Sequence, residues 1–218
     1  MIRENFEKNI AELQQKLIEM AEQTSTQIEN SFYALKGQDV ELALQVIQND
    51  SYIDDLENEI NQMAIWLMAK EQPVAKDLRK IVGVIKISSG VERIADFSVN
   101  ISKSTIMIGK QSSLLDLSTL EEMKNTLVKM LKMAIDSFIT GNISLAKEVS
   151  DLDDQIDTMS KENYQKITKY LSENGNQTEQ LVQMLFINRY LERIGDHVTN
   201  IAESTAYLIK GQIYDFNL

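Results

Sequence analysis

The chain has 218 residues, of which 43% are apolar, eight are glycine and one is proline, so it is long enough to bury a sizeable core. Its formal net charge of −11 argues against nucleic-acid binding, because contact with a phosphate backbone needs a basic surface. The absence of cysteine excludes disulfides and thiolate sites, and no apolar run approaches the roughly 20 residues of a membrane-spanning helix.

Apolar residues recur at alternating spacings of three and four along almost the whole chain, which predicts helices throughout. Ser118 and Glu121 have the spacing of a capping box at the start of the fourth helix. Long helices with short connections fold back as antiparallel neighbours, so the sequence predicts an all-α protein. In chain order we expect six long helices, at about 2–36, 39–71, 74–109, 118–140, 142–173 and 177–210.

The second half of the chain repeats the first. The stretch "VERIADFSVNI" at 91–101 returns as "LERIGDHVTNI" at 191–201, an offset of 100. Similarly, "KGQDVELALQVIQNDSYIDDLE" matches "TGNISLAKEVSDLDDQIDTM" at an offset of 103, and the change of offset falls in a loop, where length changes are tolerated. We therefore predict two tandem, repeat-related three-helix bundles, with domains at 1–112 and 113–218.

Pairs of acidic residues four apart stand at repeat-matched positions. Side chains four apart on a helix are neighbours, so each pair places two like charges together, which is mildly destabilising unless a cation lies between them. A fifth pair, Asp55 and Glu59, has no repeat counterpart. The matched pairs are Asp50/Asp54, Glu92/Asp96, Asp153/Asp157 and Glu192/Asp196.

The heptad pattern places these acids beside the core seam, where pairs on antiparallel helices would meet as four carboxylates per bundle. Oxygen ligands alone suit cations such as Mg²⁺, Ca²⁺, Mn²⁺ or iron. The alternative is an ordinary solvated acidic face. A ferritin-like di-iron site is disfavoured, because the only histidine, His197, has no glutamate three residues before it; we expect it to be solvated or locally hydrogen-bonded.

Several neighbouring residues are open to two interpretations. Arg93 and Arg193 precede Asp96 and Asp196 by three, so they would either hold these acids ionised or form ordinary surface pairs. Glycines at 90 and 195 would either allow close helix approach or be tolerated weak spots. The run "AIWLMA" at 64–69 predicts core burial, with a partner-docking patch as the alternative.

These motifs resemble those of the PhoU family of bacterial phosphate-uptake regulators over essentially the full length. The stretch "QPVAKDLRKI" at 72–81 resembles the family's helix-three opening, and the repeated Glu-Arg-Ile stretches resemble its paired signatures. Asp50 and Asp153 open the Asp-x-x-x-Asp elements that complete them. The second half departs from the pattern, since it places Glu179 where the first half has Arg79.

The resemblance implies multinuclear metal clusters on the bundle surface, with iron, or manganese, magnesium, calcium or zinc, as the ions. Matched position by position, it implicates two ligand sets: Asp50, Asp54, Glu92 and Asp96 in one, and Asp153, Asp157, Glu192 and Asp196 in the other.

The resemblance also implies a function without enzymatic turnover. The protein would be a cytoplasmic negative regulator of phosphate uptake and phosphate-starvation signalling, acting on the ATPase subunit of the Pst phosphate transporter and on a PhoR-type histidine kinase. Membrane contact would come only through these partners, and a homodimer is compatible with long bundles. The alternatives are an accessory protein of another phosphate transporter, a carboxylate-bridged metal-dependent hydrolase, or a structural bundle that takes up no ion.

Overall fold

The structure, a computed structural model, describes residues 2–110, 116–173 and 177–210. These residues form six helices and no strand, which confirms the predicted all-α class, and the helix bounds agree with the predicted ones to within one residue. The predicted boundary between residues 112 and 113 lies outside the described residues. The helices are α1 (Ile2–Gly37), α2 (Val40–Glu71), α3 (Ala75–Ile108), α4 (Ser118–Thr140), α5 (Ile143–Glu173) and α6 (Thr178–Lys210).

Two tight connections reverse the chain between neighbouring helices. Asp39 caps α2, because its Oδ1 accepts a hydrogen bond of 3.0 Å from the backbone N–H of Leu42. Gly141 ends α4 with φ of +71°, a left-handed conformation that favours glycine. Such short turns force α1 against α2 and α4 against α5.

The capping box predicted at Ser118 and Glu121 is wrong. Ser118 is itself the first residue of α4, and its N–H and hydroxyl donate to the Asp116 carboxylate at 2.9 and 2.8 Å. Glu121 instead pairs with Lys36 of α1 at 2.9 Å. The acidic side chain therefore links α4 to α1 of the first bundle rather than capping its own helix.

The helices form two bundles that share one hydrophobic core. Within each half all three helices contact one another, and the halves meet through α3 against α6 and α1 against α4. The α3 and α6 helices are antiparallel, since Gly83 lies near Leu208 and Gly90 near Ile201. A Cβ at Gly83 would fall 2.6 Å from Leu208 Cδ1, so this glycine permits the close approach of the two bundles.

The run at 64–69 divides between the core and the surface, so the predicted burial holds for only part of it. Ala64 and Leu67 are fully buried, whereas Ile65 and Trp66 are exposed. No helix within the described residues is long and apolar enough to cross a membrane.

Candidate metal centres

The first four predicted ligands, here called the first cluster, lie on adjacent helices of the first bundle. Asp50 and Asp54 belong to α2, and Glu92 and Asp96 belong to α3. Asp50 and Glu92 are half-buried and the other two are exposed, so the acids flank the core as predicted. Burial raises the pKa of Asp50, although Gln27 Nε2 of α1 opposes this effect by donating a 2.9 Å hydrogen bond to its Oδ1.

Burial and repulsion by neighbouring acids both act on Glu92 of the first cluster. Burial, followed by the charges of Asp96 and Glu57, raises its pKa to about 7, and Asp54 and Asp50 add to the effect. At neutral pH this carboxyl is therefore a mixture of protonated and ionised forms. Glu57 was not among the predicted ligands. It follows Asp54 by three residues, a spacing that also places two side chains on one helix face and would have found it.

The predicted pair between Arg93 and Asp96 does not form, although the structure describes both residues. Arg93 instead lines a cleft between α3 and α6, together with His197 and Asn200. A basic side chain that acts on the first cluster is Lys103, whose charge lowers the pKa of Asp50.

The other four predicted ligands form the second cluster, with Asp153 and Asp157 on α5 and Glu192 and Asp196 on α6. Asp153 is only 7% exposed, so the predicted position beside the core is wrong for this acid, and its buried Oδ1 has no hydrogen-bond partner. The Thr199 hydroxyl faces this carboxylate without reaching hydrogen-bond geometry. It lowers the pKa of Asp153, but by less than burial raises it. Burial, reinforced by the charges of Asp196 and Asp157, raises the pKa of Asp153 to about 6.

Gly195 makes room for the buried carboxylate. A Cβ at this position would lie 2.6 Å from Asp153 Oδ1, closer than real Cβ contacts allow. Close approach is therefore the reason for this glycine, and the side chain that approaches it is a predicted ligand. Gly90 has a related role, because a Cβ there would lie 3.1 Å from Ile201 Cγ1 of α6.

In the second cluster, neighbouring hydroxyl and basic side chains bind two of the carboxylates. Ser160 Oγ donates a 3.0 Å hydrogen bond to Glu192 Oε2, and Arg189 Nη1 pairs with Glu192 Oε1. The predicted pair between Arg193 and Asp196 forms at 2.9 Å. Ser160 and Arg189 were not predicted. Arg189 precedes Glu192 by three, so a scan for basic neighbours would have found it, but Ser160 reaches across from another helix and has no local signal.

The donor set of both clusters is compatible with a bound cation. Asp153 has a buried oxygen without a hydrogen-bond partner and is repelled by neighbouring carboxylates, and a bound cation would remove both penalties. The four acidic residues of each cluster offer oxygen ligands, which a hard or borderline cation prefers. Within the described parts of the chain, however, no three acidic or histidine side chains already converge closely enough to hold one ion. Binding would therefore require side-chain rotation within each cluster.

His197 lies beside the second cluster and packs against an aromatic ring. Its ring centroid is 5.5 Å from that of Phe97 on α3. Burial, and then the charges of Arg93 and Arg193, lowers its pKa. The imidazole is therefore neutral at physiological pH, and it contributes to the contact between α3 and α6.

Comparisons with known proteins agree with this architecture. The family model described as "PhoU domain" matches the chain twice, at residues 17–105 and 120–205. A relative from Clostridium acetobutylicum, named "Phosphate-specific transport system accessory protein PhoU homolog", is 36% identical over 218 residues and covers 100% of both chains. A relative with the same name from Rhizobium meliloti is 31% identical over 207 residues, which cover 94% of this chain and 87% of the relative.

Solved structures extend the similarity to three dimensions. The crystal structure of PhoU from Pseudomonas aeruginosa matches with a TM-score of 0.89 at 28% identity, covering 95% of this chain and 100% of that one. The phosphate transport system regulatory protein PhoU from Streptococcus pneumoniae also matches with a TM-score of 0.89, at 26% identity, covering 96% and 99% of the two chains. The doubled domain match, the full-length relatives and the shared six-helix fold all lead to one assignment: this chain belongs to the PhoU family.

Proposed function

We propose that this chain is a regulatory accessory protein of a phosphate-specific transport system and that it restrains phosphate uptake and phosphate-starvation signalling. The support comes from full-length relatives that are named as accessory proteins of such a system, and from a solved relative named as its regulatory protein. The ATPase subunit of the Pst transporter and a PhoR-type histidine kinase are the proposed partners. The chain would act by binding them in the cytoplasm, without catalytic turnover.

We further propose that both carboxylate clusters bind cations when the protein is active. The observation that supports this most directly is Asp153, whose buried Oδ1 has no hydrogen-bond partner and is accommodated by Gly195. A cation there would supply the missing positive charge. Asp153 and Asp157 from α5 would then hold it together with Glu192 and Asp196 from α6. Because the ligands come from two helices, binding would also fix those helices relative to each other.

A deletion strain tests the regulatory role. Without the gene we expect higher phosphate uptake and active phosphate-starvation genes in phosphate-rich medium, and the wild-type gene should reverse both effects. A variant altered in both clusters should fail to do so if the cations are required; it carries Glu92→Gln, Asp96→Asn, Glu192→Gln and Asp196→Asn. Normal uptake and unchanged gene expression in the deletion strain would contradict the proposal.

A metal-dependent hydrolase is the second candidate, and one observation favours it. Glu92 has its pKa raised to about 7, so it could accept and release a proton at neutral pH as a general base does. Purified protein loaded with Mn²⁺ or Mg²⁺ should be assayed on phosphate esters. Hydrolysis that disappears in Glu92→Gln would replace the adaptor proposal, whereas we expect no turnover above the protein-free rate.

A further inference from the structure

The end of the first bundle where α2 turns into α3 exposes large apolar side chains. We call residues 65–86 the α2–α3 tip. Its exposed apolar residues have relative exposures between 39% and 71%. They come from the last turns of α2 and the first turns of α3, so they surround the short connection between the two helices. These residues are Ile65, Trp66, Val74, Leu78 and Val82.

The same tip is basic, although the protein as a whole is acidic. It carries five basic residues and two acidic ones, Glu71 and Asp77, a net charge of +3, which leaves −14 for the rest of the −11 chain. All five basic side chains are exposed, and Lys70 Nζ lies 4.3 Å from the ring centroid of Trp66. The basic residues are Lys70, Lys76, Arg79, Lys80 and Lys86.

The repeat offers an internal comparison, because α5 and α6 meet in a corresponding turn. At an offset of 103, Thr168 and Lys169 stand where the first bundle has Ile65 and Trp66. At an offset of 100, Glu179 stands in place of Arg79. The basic charge is particular to the first bundle, since the matched residues 168–186 carry one basic and two acidic residues. A bundle of this fold therefore does not need a basic end.

We propose that the α2–α3 tip docks directly on a lipid bilayer whose headgroups are anionic. Tryptophan with neighbouring lysine is typical of side chains at the membrane–water interface, where the ring enters the headgroup region and the ammonium remains in water. Basic residues next to such apolar groups are attracted to an anionic leaflet.

The position of the acidic groups supports this orientation. Asp54 of the first cluster precedes Lys70 by 16 residues, or about 24 Å along α2 at 1.5 Å per residue. This distance exceeds the Debye length of roughly 8 Å at physiological salt, so the charge of Asp54 would be screened from headgroups that Lys70 contacts. The proposal goes beyond the proposed regulatory function, because it concerns a lipid surface rather than a protein partner.

Trp66 is the only tryptophan of the chain, so its fluorescence reports on the tip alone. The full-length protein would be titrated with phosphatidylglycerol vesicles and with phosphatidylcholine vesicles, in EDTA to prevent cation bridges to the carboxylate clusters. We expect a blue shift of Trp66 emission and co-sedimentation with the anionic vesicles only. Raising salt to about 0.5 M should release the protein. Because these vesicles contain no protein, a negative result would leave the proposed regulatory function untouched.

Matched variants localise the binding. Lys76→Gln with Lys80→Gln should weaken binding to anionic vesicles about thirtyfold, since each basic residue near such a surface contributes about 1 kcal/mol and about 1.4 kcal/mol is a factor of ten. Lys166→Gln with Lys169→Gln makes the same charge change on α5 and should have little effect. Helical circular dichroism would verify that each variant is folded. Absence of binding to anionic vesicles, equal loss in both double variants, or binding without a Trp66 shift would each overturn the proposal.

Discussion

The two carboxylate clusters have the same acidic residues but different neighbours. At an offset of 103, the first cluster has Glu57 where the second has Ser160, whose hydroxyl donates to Glu192. At an offset of 100, it has Ser89 where the second has Arg189, which pairs with the same glutamate. The first cluster therefore gains a negative charge and lacks a positive one. The two halves of the repeat therefore share the candidate ligands but differ in the charges around them.

Burial differs between the clusters as well. Asp50 is half-buried and accepts a hydrogen bond from Gln27, whereas Asp153 is almost fully buried with one oxygen unpaired. Gly195 allows this deep position, and the corresponding residue of the first half is Ala95. The two centres should consequently differ in their response to pH: Glu92 is the sensitive group of the first cluster and Asp153 that of the second.

The largest expected effect is that of Asp153→Asn on the metal-free protein. The folded-state pKa of about 6 lies above the ordinary 3.8, so the folded protein binds the proton more tightly than the unfolded chain. Protonation of Asp153 therefore stabilises the folded protein fully below pH 3.8. This stabilisation, at most about 3 kcal/mol, is lost as the pH rises through about 6. In EDTA, the variant should be more stable than wild type at pH 7.5 and similar at pH 4, measured by urea unfolding.

Asp50→Asn is the control for this prediction. Asp50 is half-exposed and hydrogen-bonded, so its substitution should change the unfolding free energy less at pH 7.5. Equal stabilisation by the two substitutions would show that burial does not distinguish the clusters.

Gly195→Ala should have the next largest effect, on cation affinity in the second cluster. The added Cβ would displace the Asp153 carboxylate, and displacing a group that orients ligands typically weakens metal binding by about 10–100-fold. Calorimetric titration with Mn²⁺ should show this loss at one class of site only. Ala95→Gly, the reciprocal change in the first half, should leave the second-cluster affinity unchanged. Undiminished affinity in Gly195→Ala would mean that Asp153 is not a ligand.

Ser89→Arg would supply the first cluster with the basic residue that the second already has. An arginine three residues before Glu92 can pair with it as Arg189 pairs with Glu192, and such a pair lowers a carboxyl pKa by about 1 or more. The pKa of Glu92, about 7 in the wild type, should therefore fall. Carboxyl-carbon NMR titration would follow it, with Ser89→Gln as the uncharged control. If the arginine left the Glu92 titration unchanged, the lack of a basic residue at position 89 would not explain the raised pKa of Glu92.

The helices and the candidate ligands could be predicted because both depend on local spacing. Apolar residues three and four apart define the helices, and acids four apart must share a helix face whatever the tertiary structure is. The doubled occurrence of Glu92 and Asp96 as Glu192 and Asp196 separated these pairs from a chance pair such as Asp55 and Glu59.

The differences between the clusters could not be predicted in the same way. The hydrogen bond from Ser160 to Glu192 depends on how α5 and α6 face each other, and the role of Gly195 depends on how closely they approach. Arg93 and Arg193 each stand between a glutamate and an isoleucine, three residues before an aspartate, yet within the described residues only Arg193 pairs with its aspartate. Side-chain orientation in a crowded cluster follows from the neighbouring helix, about which local spacing carries no information.

The most direct test of the central claim is metal stoichiometry in one-cluster variants. Two double variants, Glu92→Gln with Asp96→Asn and Glu192→Gln with Asp196→Asn, would be purified without chelator beside the wild type, and bound metal would be counted by mass spectrometry. If each bundle holds its own cation centre, each variant should lose the metal of one cluster and retain that of the other. If either variant lost all metal, the two-centre account would be wrong, and if neither lost any, the carboxylates would be only a solvated acidic face.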